Sequence, residues 1–288
     1  MPGVLSQAAR SDVSLIMLGT PCVVRSSDPE VLDWCHAKYA HFLGEANEID
    51  PPARTFELVP APPSELAELR LDGVVVRTAE DLRGLLVPLG NELNRLAVAG
   101  STHLTVHAAA VSRGGRAVLL PAEMESGKTT LTVALIRAGF DYITDEAVAL
   151  DRVDGSIHPY AKPLFLDPGS WPLFADLAPR SDPTREPEQW HIGPDEIRAG
   201  CVASGATPAW IVFPTYRAGS ASSLCPISRA EALLEMTKNT FAFSARSRAN
   251  LDQLADVVRS CRCYRLRVDD LDEAVRILSG LVEKGLPS

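Results

Sequence analysis

The stretch from Leu119 to Leu131, LLPAEMESGKTTL, ends like a phosphate-binding loop but begins differently. A loop of that kind reads G-x-x-x-x-G-K-[ST], where backbone N–H groups and a helix N-terminus converge on the anion and the lysine reaches its terminal phosphates. Here Gly127, Lys128 and Thr129 are in place, and the hydroxyl after the lysine would hold Mg²⁺. The residues that this pattern assigns to phosphate binding are Ala122, Glu123, Met124, Glu125, Ser126, Gly127, Lys128, Thr129 and Thr130.

This loop departs from the consensus at its first position, and it carries two acidic residues in its interior. Ala122 replaces the first glycine, and it would be strained by about 1 kcal/mol if that position needs a positive φ. Glu123 and Glu125 would repel a triphosphate unless they point away from it or meet a cation. The alternative is a strand-turn-helix without a ligand, but the flanking sequences AVLLP and TTLTVALIRAG predict the strand and helix that such a loop needs.

The second candidate for a catalytic or metal-binding role is the acidic pair Asp145–Glu146. It lies in the predicted strand DYITDEAVALD, which follows the loop helix. In a parallel arrangement the end of that strand would lie beside the loop. There a carboxylate could hold Mg²⁺ or take the proton from an attacking hydroxyl. The alternative is a solvated acidic turn. Because the neighbouring residues should be buried, and buried carboxylates are rare unless paired or bound to metal, the sequence favours a functional role.

His107 lies in LTVHAAAV, which is joined to the loop strand by the turn Arg113-Gly-Gly-Arg116, a hairpin signal. Proximity to the loop favours an active-site role over that of a satisfied core histidine. Four further cations could neutralise phosphate charge or could be plain surface residues: Lys162, Lys238, Arg246 and Arg248.

The elements that must position these residues form two parts. Strand-like runs and one helix, from Asp28 with Pro29 at its first position to about Leu43, predict a small α+β lobe in the first part. A helical segment with Thr78 as N-cap, kinked or split at Pro88, would bridge to the second part. The second part continues with strand PAWIVFPTY, a polar loop over 180–195 that is either a recognition lid or a simple insertion, and three C-terminal helices with one strand.

Composition excludes several classes of protein. The chain has 288 residues and a formal net charge of −9, which argues against a nucleic-acid binder. No apolar run is long enough to span a membrane and no secretion signal is evident, so we expect a cytoplasmic protein without a membrane partner. Six scattered cysteines do not suggest a disulfide framework, and the pair Cys261 and Cys263 fits buried thiols better than a metal knuckle.

In combination, HAAAV, GGRAVLLPAEMESGKTTL and AGFDYITDEAVAL resemble the HPr kinase/phosphorylase family, in particular its smaller relatives. The later stretches YAKPLFLDPGSW, PAWIVFPTYRAG and DLDEAVRIL are also similar to these relatives, so the resemblance covers roughly residues 65–285. It implies an α/β fold with the P-loop core that this family shares with phosphoenolpyruvate carboxykinases. The expected domains are an N-terminal α+β lobe with the bridging helix, 1–98, and a nucleotide-binding kinase domain, 99–288.

The resemblance also implies phosphoryl transfer from ATP or another nucleoside triphosphate, with Mg²⁺, to a serine-type hydroxyl. By position, Lys128 would contact the β- and γ-phosphates. Thr129, Glu146 and Asp145 would coordinate the metal ion. Asp145 would be the base for the acceptor, and His107 would lie near the transferred phosphate.

The acceptor is expected to be a peptide or a small molecule. HPr itself is not expected, because the loop that the regulatory enzymes use for phosphorolysis has no counterpart here. Some relatives phosphorylate the precursor peptides of natural products, including lasso peptides, and others act on free serine. A catalytically degenerate binding module, another phosphoryl donor and a homo-oligomeric state remain open alternatives.

Overall fold

A computed structural model describes residues 12–44, 53–62, 65–122, 126–179, 189–217 and 219–285 of the chain. The chain divides into two compact units, residues 1–100 and 101–288. Both combine helices with β-sheets, so the expected α/β class is correct at that level. Glu123, Met124, Glu125 and most of the predicted 180–195 loop lie outside the described residues.

The first unit contains a five-stranded sheet in sequential order, in which the second and third strands are parallel and the other neighbours antiparallel. Alternating side chains of its strands, such as Val13, Leu15 and Met17, are buried. The elements are β1 (Asp12–Met17), β2 (Thr20–Ser26), α1 (Pro29–Lys38), β3 (Arg54–Val59), β4 (Ala67–Leu71), β5 (Val74–Ala79) and α2 (Leu86–Gly100).

Two helix boundaries of the first unit differ from the sequence prediction. Asp28 caps α1 as expected, accepting the Glu30 N–H at 2.9 Å, but the helix ends at Lys38 and a short 3₁₀ turn over Ala40–Phe42 follows. The prediction of Thr78 as an N-cap was wrong, because β5 continues through Ala79. Pro88 neither kinks nor splits α2, since it lies in the first turn, where a missing N–H leaves no intrahelical bond unmade.

The second unit is built on an eight-stranded mixed sheet. Its neighbours run β10-β9-β6-β7-β13-β15-β14, and β8 also pairs with β6. A separate small sheet joins β11 and β12. The elements are β6 (Leu104–Arg113), β7 (Arg116–Pro121), α3 (Lys128–Arg137), β8 (Asp141–Thr144), β9 (Ala147–Leu150), β10 (Ile157–His158), β11 (Leu164–Leu166), β12 (Trp190–Ile192), α4 (Pro194–Ile197), β13 (Thr207–Tyr216), β14 (Ser223–Pro226), α5 (Arg229–Lys238), α6 (Ser247–Ser260), β15 (Arg262–Val268) and α7 (Leu271–Gly285).

The central strands of this sheet are covered on both faces. Ala108, Ala110 and Leu119 point to a core that includes α5 and α6, whereas Ala109 and Leu120 point to a core that includes α3 and α7. Near-continuous burial of strands such as β7 and β13 is the pattern expected of a sheet between two helical layers.

Candidate phosphoryl-transfer site

The predicted hairpin brings His107 and the loop onto neighbouring strands. β6 and β7 are antiparallel, and Gly114 and Gly115 have φ values of 58° and 71°, as a tight turn of this hand requires. The chain then passes from Pro121 at the end of β7 through the loop into α3. The strand-loop-helix expected from the sequence is therefore present.

The helix that follows the loop begins with a phosphate-compatible end. Gly127 is the N-cap of α3 with φ of 81° and, as a glycine, has no side chain to cap the helix. The first N–H groups of a helix have no intrahelical acceptor, and the helix dipole places partial positive charge there. The N-terminus of α3 can therefore receive an anion.

Lys128, in the first turn of α3, is buried and folds back over the loop. Its Nζ donates to the carbonyl of Ala122 at 2.7 Å and to Ser126 Oγ at 3.5 Å. The described non-glycine residues with positive φ are Leu18, Asp72 and Ala242, so Ala122 does not need the conformation that would strain it. Alanine at this position carries no backbone penalty.

The acidic pair lies between two short strands, β8 and β9, where the sequence predicted one continuous strand. β8 and β9 both pair antiparallel with β6, and Asp145–Glu146 lies between them. The sequence prediction of one strand with the pair in its middle was therefore wrong in detail. β8 runs in the same direction as β7 but is separated from it by β6, so proximity to the loop does not come from direct parallel pairing.

Asp145 is the most enclosed charged group of the site. Its side chain is 3% exposed, and three donors surround it. Thr129 Oγ1 donates to Oδ2 at 3.0 Å, the Tyr142 hydroxyl lies 3.0 Å from Oδ1, and Lys162 Nζ lies 2.9 Å from Oδ1. Burial, followed by the charge of Asp145, raises the pKa of Tyr142 well above its ordinary value, so this hydroxyl keeps its proton.

Glu146 faces a different set of groups. Its Oε1 lies 3.5 Å from His107 Nδ1. Burial raises the pKa of Glu146, but the hydrogen bond with His107 and the charges of Lys162, His107 and Lys128 outweigh it and hold the pKa below its ordinary value. The other ring nitrogen of His107, Nε2, is buried without a hydrogen-bond partner among the described residues. Such atoms are rare in proteins and concentrate at functional sites.

The N-terminus of α3, the acidic pair and His107 line one cavity of about 260 Å³, which we call the central cavity. Its lining combines residues predicted from the sequence with others that the sequence analysis missed: His107, Ser126, Gly127, Lys128, Thr129, Thr130, Asp145, Glu146, Phe165, Leu166, Asp167 and Ser170. Two larger cavities, of about 790 and 590 Å³, also border Ser126 and Gly127. The loop therefore has space on more than one side.

The missed residues come from β11, which carries Phe165 and Leu166, and from the segment directly after it. Ser170 Oγ lies 2.6 Å from Thr130 Oγ1, and Asp167 borders the same cavity. The only sequence signal for them was the turn Asp167-Pro-Gly directly after a strand-like run.

The four candidate cations have different positions. Lys162 is buried against Asp145, with its Nζ also 5.0 Å from the centre of the Phe165 ring. Lys238 borders the cavity of about 590 Å³ but pairs with Glu235 at 3.2 Å. Arg248 is 97% exposed and Arg246 borders none of these three cavities, so neither belongs to the site.

Comparison with known proteins adds no assignment. No model of a known protein family matches the chain, and no curated protein matches it. Among the described residues, no helix is both long and apolar enough to cross a membrane. The resemblance of the motifs to the HPr kinase family therefore stays a prediction.

Proposed function

We propose that the second unit is a Mg²⁺- and nucleotide-dependent kinase that transfers the terminal phosphoryl group to a serine-type hydroxyl on a peptide or small molecule. One observation carries this proposal: the N-terminus of α3, with Lys128 and Thr129, meets the acidic pair and His107 in the central cavity. A core like that of the HPr kinase family is part of the proposal and rests on the motifs of the sequence.

The residues of the loop fit a phosphate. The N-cap of α3 is a glycine, which supplies no capping side chain of its own, so the first N–H groups of the helix suit the oxygens of an anion. The Lys128 ammonium bonds to the Ala122 carbonyl, an acceptor that phosphate oxygens would replace with a stronger, charge-assisted bond. The donor nucleotide would supply the phosphoryl group, and Mg²⁺ would neutralise the charge that develops on it.

The metal would be held by oxygen atoms. The Thr129 hydroxyl and the carboxylates of Asp145 and Glu146 are the kind of ligand that Mg²⁺ prefers. Thr129 and Asp145 already lie 3.0 Å apart. Lys162 balances the charge of Asp145, so the buried carboxylate is compensated.

Asp145 is the proposed base for the acceptor hydroxyl. Its Oδ1 is occupied by Lys162 and Tyr142, whereas its Oδ2 is bonded only to Thr129. Once the Thr129 hydroxyl turns to the metal and Glu146 supplies the coordinating carboxylate, Asp145 Oδ2 is available to take the proton of the acceptor. Glu146 orients the His107 ring through Nδ1, which holds the ring at the wall of the central cavity, beside the reacting groups.

The first test measures the binding of Mg-ATP by calorimetry and by thermal unfolding. If Mg-ATP is present at about 100 times its Kd, binding adds roughly 2.7 kcal/mol, which raises Tm by about 5–10 °C for a unit of this size. Lys128→Ala should abolish the shift. Lys284→Ala, which removes the same charge from an exposed position on α7, is the matched control and should leave it intact.

The second test is transfer. Mass spectrometry of candidate peptides and of free serine, incubated with Mg-ATP, should show a phosphorylated product with the unaltered protein. Asp145→Asn should still bind Mg-ATP but lose transfer, because the amide cannot accept the proton. Transfer retained in Asp145→Asn would remove the role of Asp145, and no binding of Mg-ATP by the unaltered protein would favour the degenerate binding module.

A further inference from the structure

A cluster of metal-ligating side chains lies outside the central cavity, at the opposite end of β6 from the hairpin. His103 directly precedes β6, Asp151 directly follows β9, and His158 is the last residue of β10. β9 lies between β6 and β10, with Leu150 paired to both Leu104 and Ile157. Three neighbouring strand ends therefore bring two imidazoles and one carboxylate together.

The distances within this cluster match a metal site. One ligand atom from each of the three residues lies within 4.8 Å of the other two. His158 Nε2 is 3.4 Å from Asp151 Oδ2. That separation is long for a hydrogen bond, but two ligands at about 2.1 Å from a tetrahedral ion are themselves about 3.4 Å apart.

The carboxylate is held in place by the turn between β9 and β10. Its Oδ1 accepts the N–H groups of Val153 at 2.7 Å and Asp154 at 3.2 Å. Oδ2 is left facing His158. Backbone bonds of this kind fix the orientation of a ligand before the ion arrives, as the outer partners of metal ligands do in known sites.

The imidazole rings of His103 and His158 stack on each other beside this carboxylate. Their ring centres are 4.1 Å apart and the rings are inclined by 23°. His103 is partly buried and the His158 side chain is 47% exposed, so solvent and a metal ion can reach the cluster. The nearby Arg152 donates to the carbonyls of Thr102 and His103 and to the Asn250 amide oxygen, and these bonds fix the position of its side chain.

We propose that His103, Asp151 and His158 form a site for a divalent transition-metal ion of the Zn²⁺ class, with open positions for water. Two imidazole nitrogens and one carboxylate oxygen suit such ions, whereas Mg²⁺ and Ca²⁺ prefer oxygen ligands alone. His103 is four residues from His107 on one strand, a distance of about 13 Å. The site is thus separate from the central cavity, and it does not depend on the proposed kinase activity.

The test uses the full chain freed of metal by chelation and titrated with Zn²⁺, and with Co²⁺ as a spectroscopic probe. We expect one ion per chain, a rise in Tm and a visible Co²⁺ spectrum without a thiolate band. Excess Mg²⁺ should not compete. Because even outer partners of a metal are worth tenfold or more in affinity, loss of one ligand in His158→Ala should weaken binding at least about tenfold.

Two further variants separate the site from its surroundings. Asp151→Asn keeps an oxygen for the turn but removes the charge, and His103→Phe keeps a stacked ring but removes the nitrogen; both should weaken binding while the circular dichroism stays unchanged. His36→Ala, on α1, and Cys225→Ser, which removes an exposed thiol, should bind like the unaltered protein. Unchanged affinity in His158→Ala and His103→Phe, or no saturable binding at all, would overturn the proposal.

Discussion

The pair formed by Asp145 and Lys162 is the energetic centre of the candidate site. Both side chains are almost fully buried, with 3% and 9% exposure, and their charged atoms are 2.9 Å apart. Removing one partner of such a pair leaves the other charge without compensation in a medium of low dielectric constant. The pair therefore couples the stability of the second unit to the residues proposed for chemistry.

The change Lys162→Met tests this coupling. It should lower the free energy of unfolding by about 3–5 kcal/mol, because the Asp145 carboxylate stays buried without its cation. The double variant Asp145→Asn/Lys162→Met should recover part of that loss, since no charge then remains in the pair. Urea denaturation followed by circular dichroism measures both values.

The control for this cycle is Arg248→Met, because Arg248 is 97% exposed and lies 4.0 Å from Asp252. Its effect should stay within about 0.5 kcal/mol, as for other exposed pairs. Strictly additive effects of Asp145→Asn and Lys162→Met would contradict the buried pair.

Thr129 offers a second prediction at the level of one hydroxyl. Its Oγ1 donates to Asp145 at 3.0 Å and is a proposed metal ligand. Thr129→Val keeps the shape of the side chain but removes the oxygen, so binding of Mg-ATP should weaken by tenfold or more, whereas Thr129→Ser should stay within a few-fold of the original affinity. Calorimetry of ATP binding with and without Mg²⁺ measures the difference. If the Thr129→Val and Thr129→Ser variants bind Mg-ATP equally well, the hydroxyl does not coordinate the metal.

At the scale of elements, α3 is a helix whose end is defined by one glycine. Gly139 has φ of 91°, its N–H donates to the Ile136 carbonyl and the next N–H, that of Phe140, donates to the Leu135 carbonyl, both at 3.0 Å. This is the Schellman arrangement, and Leu135 and Phe140 share one hydrophobic core. The glycine thus turns the chain from α3 into β8, which leads to Asp145.

Gly139→Ala should therefore lower stability by about 1–2 kcal/mol, because a Cβ is strained at positive φ. The matched control is Gly280→Ala in α7, where no atom lies within 4 Å of an added Cβ and the φ is not positive. That change should raise stability by about 0.5–1 kcal/mol, because alanine favours the helix. Thermal unfolding of the two variants should thus shift in opposite directions, and a loss of equal size in both would contradict this account of the helix end.

Elements set by local signals could be predicted from the sequence. The Asp28–Pro29 start of α1 and the Gly114–Gly115 hairpin each depend on a few adjacent residues, and both are present. Boundaries that depend on distant partners could not be predicted. β5 extends through Thr78 because it pairs with β4, and β4 itself, with the sequence AELRL, gave no strong strand signal.

The residues of the candidate site likewise fall into those that a local pattern predicts and those that only the fold brings together. Lys128, Thr129 and the acidic pair were predicted because their types and spacing match a known pattern. The partnership of Lys162 with Asp145, 17 residues apart in the chain, arises only when β11 and β8 are placed by the fold. Lys162 was one of four candidate cations, but because lysines in proteins are mostly surface residues, nothing in the sequence pairs it with Asp145.

At the scale of the whole molecule, the burial of the six cysteines shows which regions within each unit exclude solvent. All are free thiols, and Cys225, on β14, is the exposed one. Burial raises the pKa of Cys22, Cys35 and Cys261 to about 12 and that of Cys201 to about 11, and it also raises the pKa of Cys263. The thiolate is the reactive form, and a thiol with a pKa near 12 is only about 0.01% thiolate at pH 8.

Alkylation with iodoacetamide at pH 8 should therefore modify the native protein at Cys225 alone, and the denatured protein at all six cysteines. Peptide mapping by mass spectrometry identifies the modified residue, and Cys225→Ser should leave the native protein unmodified. Because Cys22 and Cys35 lie in the first unit and Cys201, Cys261 and Cys263 in the second, the experiment examines the two cores separately. Fast modification of Cys22 or Cys35 would show that the first core is open in solution, and the same result at Cys261 or Cys263 would show it for the core beneath α5 and α6.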